Sequence, residues 1–180
     1  MQFFQVGSII TTCGYATTDF DLWPETSKMI LVLLMFIGAC AGSTGGGFKI
    51  SRLLILCKAI PKRLSLVIHP REVKVIRMDG KPIDHNTLRS TNVYLAIYFF
   101  ILLVSTLLIS VDNFNLTTNF TAVASTLNNI GPGLDGVGPT RNFGLYSDFS
   151  KFVLMFDMLA GRLELYPLLI LFMPSLWRRK

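Results

Sequence analysis

Residues 117–131 read TTNFTAVASTLNNIG, and residues 2–14 read QFFQVGSIITTCG. Each stretch is moderately apolar and ends at a glycine, Gly131 after Asn-Asn-Ile or Gly14 after Thr-Thr-Cys. Both fall short of the roughly 20 apolar residues that a helix needs to cross a hydrocarbon core. Superposed at an offset of 117, Phe3 matches Phe120, Val6 matches Val123, Ser8 matches Ser125 and Gly14 matches Gly131. Thr11-Thr12-Cys13-Gly14 therefore stands opposite Asn128-Asn129-Ile130-Gly131. After a six-residue length difference the next segments align as well: Ser27-Lys28 with Ser150-Lys151, Met35 with Met158, Gly38 with Gly161.

The surrounding sequence tells what such short helices are for. Of 180 residues, 51% are apolar or aromatic and 16% are charged, against roughly 25% charged in soluble domains. Residues 90–111 carry no charge, and 93–111, VYLAIYFFILLVSTLLISV, form a membrane span. A second apolar run, 149–176, ends in Trp177-Arg178-Arg179-Lys180. A third, 29–57, is broken as MILVLLMFIGACA, GSTGGGF and KISRLLILC. Its first piece makes only about 20 Å of helix. This pattern excludes an ordinary cytosolic enzyme and a disordered chain.

Charge orients the spans. Of 17 basic residues, Lys58, Lys62, Arg63, Arg71, Lys74, Arg77, Lys81 and Arg89 fall between Cys57 and Ser90, and three more end the chain. The segments 14–28 and 112–151 hold Asp19, Asp21, Glu25, Asp112, Asp135 and Asp148 instead. The positive-inside rule puts the basic linker and the C-terminal tail in the cytoplasm and the acidic segments outside. The two short helices then lie on the outer side, at re-entrant depth. Irregular backbone there is tolerated only against protein or a watery cavity. The fold expected is an all-α membrane protein of repeated span–re-entrant pore helix–span units, with about three crossings and two half-helices.

Such a unit is how a cation filter is built: turn carbonyls replace the ion's hydration shell, and the helix C-terminus turns its negative end toward the cation. Tight extracellular turns between ordinary helices are the competing reading. Cys13, Cys40 and Cys57 show no metal-ligand spacing and suggest reduced apolar residues. His69 and His85 sit in the basic stretch. With no paired nucleophile, metal cluster or His constellation, no enzyme, no cofactor and no nucleic-acid partner is expected.

Together TTCGYATTDFDLWP, GACAGSTGGGFK, LNNIGPGLDGVGP and LAGRLELYPLL make the chain resemble the C-terminal portion of the TrkH/KtrB potassium-uptake family. The resemblance implies four such repeats in one longer chain. Residues 1–57 would hold the third-repeat pore helix, filter and broken second span, 58–90 a cytoplasmic linker, and 91–180 the fourth repeat. It implies K⁺, or Na⁺, at Thr11, Thr12, Cys13, Gly14, Asn128, Asn129, Ile130 and Gly131, bound mainly through backbone carbonyls. Cys13 and Ile130 would then pack outward. The break Gly42, Ser43, Thr44, Gly45, Gly46, Gly47 lacks the Lys-Ser/Thr of a phosphate loop. Gly38 and Gly42 could form a close helix-packing face. The resemblance makes the break an intramembrane gate.

Arg162 lies deep in the last span, where a lone Arg costs at least about 2.5–3.5 kcal/mol. It either pairs with a carboxylate on another repeat or, as the resemblance implies, forms a positive barrier in the pore. The family also implies a cytosolic nucleotide-binding regulator of TrkA/KtrA type, lipid contacts for the linker, a homodimer, and an inner (plasma) membrane location. A non-conducting membrane scaffold is the alternative function.

Overall fold

A computed structural model of the chain describes residues 2–38, 40, 43, 45–69, 76–78 and 81–163. In chain order its elements are α1 (Gln2–Ile10), α2 (Glu25–Phe36), β1 (Ile37–Gly38), β2 (Phe48–Lys49), α3 (Ile50–Ile68), β3 (Arg77–Met78), β4 (Lys81–Pro82), α4 (His85–Ile109), α5 (Leu116–Leu127) and α6 (Asp148–Leu163). Short 3₁₀ turns punctuate the connections.

α2 starts directly after Pro24, with Glu25 in its first turn and Lys28 Nζ 2.6 Å from the Glu25 carboxylate. Its 12 residues give about 18 Å of helix, short of a crossing. The chain then leaves as β1 and returns as β2, and the two pair in parallel, Ile37 with Phe48 and Gly38 with Lys49. A Cβ on Gly38 would come within 2.6 Å of the Gly46 carbonyl oxygen, so only glycine lets the two arms of the loop close. α3 carries Pro61 within it and runs on to Ile68 with Lys58, Lys62 and Arg63 aboard. The helix therefore continues through the boundary expected at residue 57.

α4 is apolar on all sides. The stretch Asn86–Asp112 (27 residues) is the one helix among the described residues long and apolar enough to cross a membrane. Phe100, Leu103 and Leu107 on it are exposed, as a hydrocarbon-facing surface would be. It ends in a 3₁₀ turn and a left-handed Asn113, φ 57°, a conformation that Asn tolerates well. Of the other two expected crossings, the 29–57 run is split at the β1–β2 loop, and residues 164–176 of the 149–176 run lie outside the described residues. The all-α expectation is amended by two sheets of two-residue strands, β1–β2 and the antiparallel hairpin β3–β4.

The expected half-helices lie within α1 and α5. α5 is enclosed: Thr118, Asn119 and every residue from Thr121 to Leu127 are buried. Because water cannot reach them, its hydroxyls bond back to the helix, Thr121 Oγ1 to Thr117 O at 2.7 Å and Thr126 Oγ1 to Ala122 O at 2.9 Å. Tyr98, Leu102 and Ile109 of α4 and Val153, Leu154 and Ala160 of α6 close one core around α5. Ile9, Phe20, Leu31, Val32 and Met35 form a second with Ile130 and Leu134, which ties α1 and α2 to the turn after α5.

Above α5 the buried Tyr146 hydroxyl donates to Asn119 Oδ1 at 2.9 Å, and Asn119 Nδ2 donates to Phe114 O. Replacing Asn119 by Leu strands that hydroxyl without water. In the full-length protein Asn119→Leu should cost about 1–3 kcal/mol, whereas Tyr146→Phe should cost about 1 kcal/mol. Thermal unfolding in detergent checks both, and Asn119→Leu should melt at the lower temperature.

Candidate functional site

The chain leaves α1 and α5 by the same hydrogen-bond pattern. After α1, Thr12 N–H donates to Ile9 O at 3.1 Å and Cys13 N–H to Ser8 O at 2.9 Å. After α5, Asn129 N–H donates to Thr126 O at 3.0 Å and Ile130 N–H to Ser125 O at 2.9 Å. These are the paired bonds of a Schellman cap, which requires a left-handed residue just past the helix. Thr12 supplies it at φ 56° and Asn129 at φ 55°. Asn visits this region readily, but a β-branched Thr does so only under strain, of order 1–3 kcal/mol. Two residues on, Gly14 and Gly131 also have positive φ, 78° and 115°.

A serine secures each turn. Ser8 Oγ donates to Tyr15 O at 2.6 Å. Ser125 Oγ donates to Gly131 O at 2.6 Å and accepts Gly131 N–H at 3.1 Å. The two turns touch: a Cβ on Gly14 would collide with the Ile130 carbonyl. Ile130 packs into the core, while Thr11 and Cys13 are exposed on this chain. The Thr11 hydroxyl donates to Gly7 O at 2.7 Å.

Asn128 is fully buried, and its amide turns inward. Its Oδ1 accepts the Tyr98 hydroxyl at 2.8 Å and its Nδ2 donates to Ala124 O at 2.7 Å. Gly46 and Gly47 lie against it: added Cβ atoms would stand 2.5 Å from Asn128 O and 2.6 Å from Asn128 Oδ1. The C-terminal half of the glycine loop is therefore seated on the turn after α5. Ser43 is exposed and its Oγ accepts Gly45 N–H at 3.2 Å. Gly42 and Thr44 lie outside the described residues. On the other side Gly161 of α6 abuts Leu127 O, and Asn129 Nδ2 donates to Met158 O at 3.1 Å. Arg162 follows in the last turn of α6, exposed on this chain.

The structure brings together the two turns, Gly46–Gly47 and the start of the Gly161-Arg162 pair. Several contributors escape a reading by motif. Tyr98 looks like one more apolar residue of a span. Asp157, whose Oδ1 accepts Ser105 Oγ at 2.7 Å between α4 and α6, is fully buried. Arg52 places its guanidinium 3.9 Å from the centre of the Tyr94 ring. A positional signal existed only for Asp157, one helical turn before Gly161.

The model of the TrkH family, described as a cation transport protein, matches residues 1–179. The chain belongs to the TrkH family. It is 40% identical over 175 residues to the Trk system potassium uptake protein TrkH of Vibrio parahaemolyticus, covering 97% of this chain and 36% of that one. Identity to the TrkH protein of Escherichia coli (strain K12) is 38% over 176 residues, 98% of this chain and 36% of that one. The crystal structure of the potassium transporter TrkH from Vibrio parahaemolyticus superposes with a TM-score of 0.87, covering 97% of this chain and 37% of that one. The TrkH-family chain thus spans about a third of the length of the curated relatives it matches, and these carry the names of transport proteins.

Beyond the turns, the loops that follow them in the TrkH-family chain are laced together. Asp21 Oδ1 accepts the Asp135 N–H at 3.0 Å, and Thr140 Oγ1 lies 3.4 Å from Asp19 Oδ2. Asp135, itself left-handed at φ 54°, accepts Asn115 Nδ2 and Thr118 Oγ1 on Oδ2, with Arg141 3.9 Å from Oδ1. The Asn115 and Thr118 donors hold the Asp135 carboxyl below the usual carboxylate range. Burial pushes Asp21 above it, partly offset by the Asp135 N–H. A depressed carboxyl contributes stability above its ordinary value and loses it as pH falls through the folded value. Asp21 contributes in the opposite sense, favouring the fold below its raised value. Melting temperatures of the full-length protein should therefore fall more steeply with acid in the wild type and in Asp21→Asn than in Asp135→Asn.

Proposed function

We propose that the protein to which this chain belongs takes up K⁺ across the plasma membrane, with the turns 11–14 and 128–131 forming two quarters of a carbonyl-lined filter. The observation that carries the reading is the pair of identical capped turns at one offset, in contact through Gly14 and the Ile130 carbonyl. Each turn ends a helix whose free C-terminal carbonyls present the negative end of a dipole. The names of the relatives agree with a monovalent cation as cargo.

In this reading α1 and α5 are re-entrant pore helices within repeated span–pore helix–span units, and the remaining quarters come from the rest of a longer chain. The glycine loop is the intramembrane gate, supported by the contact of Gly46 and Gly47 with Asn128. Arg162 adds a positive barrier beneath the filter, a role supported by the contact of its neighbour Gly161 with Leu127 O at the end of α5. The linker and C-terminal tail face the cytoplasm, where basic residues meet lipid headgroups and a nucleotide-binding regulator, and the full-length protein pairs as a homodimer.

Uptake of radioactive Rb⁺ by the full-length protein tests the filter. Gly14→Ser and Gly131→Ser force a side chain into left-handed backbone. The strain, about 1–3 kcal/mol, should lower uptake or the Rb⁺/Na⁺ ratio by roughly tenfold. Wild-type flux and selectivity in both would sink the assignment. Separately, Arg162→Ala should raise the flux of a properly assembled protein, and unchanged or lower flux would remove the barrier role.

A further inference from the structure

Tyr98 occupies a position that the filter and gate reading does not use. Its ring stands edge-on to Phe36, the last residue of α2, with centroids 6.4 Å apart, and also 6.4 Å from Phe48, the first residue of β2. Phe36 and Phe48 are the two ends of the glycine loop. Tyr94 stacks on the same ring at 6.4 Å and Phe99 closes it edge-on at 5.9 Å. The hydroxyl meanwhile donates to Asn128 Oδ1 at 2.8 Å, in a site with Tyr98 and Asn128 both buried. One side chain grips both ends of the loop with its ring and the filter turn with its oxygen.

The glycines complete the arrangement. Gly47, at φ 83°, passes so close to the Asn128 amide that a Cβ would stand 2.6 Å from the same Oδ1 that accepts the Tyr98 hydroxyl. The Asn128 amide has no spare freedom, since its Nδ2 is committed to Ala124 O. A shift of the loop that carries Phe36 or Phe48 must move the Tyr98 ring, and through the hydroxyl it must load the residue whose own carbonyl belongs to the filter.

From this geometry we infer that Tyr98 is the positioning residue that couples the glycine loop to the filter, so that the cation held at residues 128–131 and the state of the loop report on each other. The inference rests on the filter reading. It assigns the coupling to one hydrogen bond, and Tyr98→Phe removes that bond while keeping the ring between Phe36 and Phe48.

The test uses the full-length protein in vesicles with two readouts. The first is the ratio of Rb⁺ to Na⁺ flux. The second is the rate at which a water-soluble thiol reagent modifies Ser43→Cys, in a background freed of other cysteines, in K⁺ against Na⁺. With Tyr98 intact the modification rate should differ between the two cations. Tyr98→Phe should bring the two rates together and lower the flux ratio by about fivefold, the worth of one buried neutral hydrogen bond. Gly131→Ser runs in parallel. If it alters the flux ratio and Tyr98→Phe does not, the coupling is wrong and the filter stands. If neither alters it, both fail. A lowered flux ratio with cation-dependent loop modification retained, or no cation dependence even with Tyr98 present, also overturns the coupling.

Discussion

Backbone that leaves a helix has to satisfy the N–H and C=O groups that the helix no longer pairs. That constraint governs the two turns after α1 and α5. Each helix meets it with the paired bonds of a Schellman cap and one serine. The cap in turn demands left-handed residues, which accounts for the positive φ of Thr12 and Asn129. Everything packed around α5 serves to hold that exit. α4 and α6 exclude water from the helix, and the second core draws Ile130 and Leu134 onto α1 and α2.

Glycine supplies the close approaches that this packing requires. Gly46 and Gly47 admit the loop to Asn128, Gly161 admits α6 to Leu127 O, and Gly38 lets the loop's two arms pair. Two segments far apart in sequence, the loop and α6, thereby reach the C-terminal end of α5, neither with room for a methyl group. Interfaces of this kind have few intermediate arrangements, because a tightly packed contact either fits or separates. The aromatic cluster of Phe36, Phe48, Tyr94 and Tyr98 packs the residues at both ends of the loop against α4.

Much of this was readable from residue type. The offset of 117 aligned Ser8 with Ser125 and Gly14 with Gly131; in the structure each serine hydrogen-bonds within its own turn and both glycines take positive φ. Those positions are legible because capping and positive φ restrict the residues allowed. Thr12 was not legible as a left-handed residue, since its β-branch argues against that backbone; the helix cap overrides the preference. Tyr98 was hidden inside an uninterrupted apolar run, where periodicity cannot separate a lipid-facing ring from a buried one. The extent of α3 was also unreadable. Charge marks where the membrane ends but not where a helix does, so Lys58, Lys62 and Arg63 continue the helix that the apolar count closed at Cys57.

The two aligned glycines meet different demands. At Gly14 a side chain faces both a left-handed φ and the Ile130 carbonyl of the neighbouring turn. At Gly131 an added Cβ meets nothing within 4 Å, and only the backbone angle, φ 115°, requires glycine. The difference follows from position in the assembly. Gly14 lies on the seam between the two turns of this chain, whereas Gly131 is exposed. The chain thus places unlike steric limits on like residues. Sequence identity between its turns therefore reflects the shared backbone cap more than any shared packing.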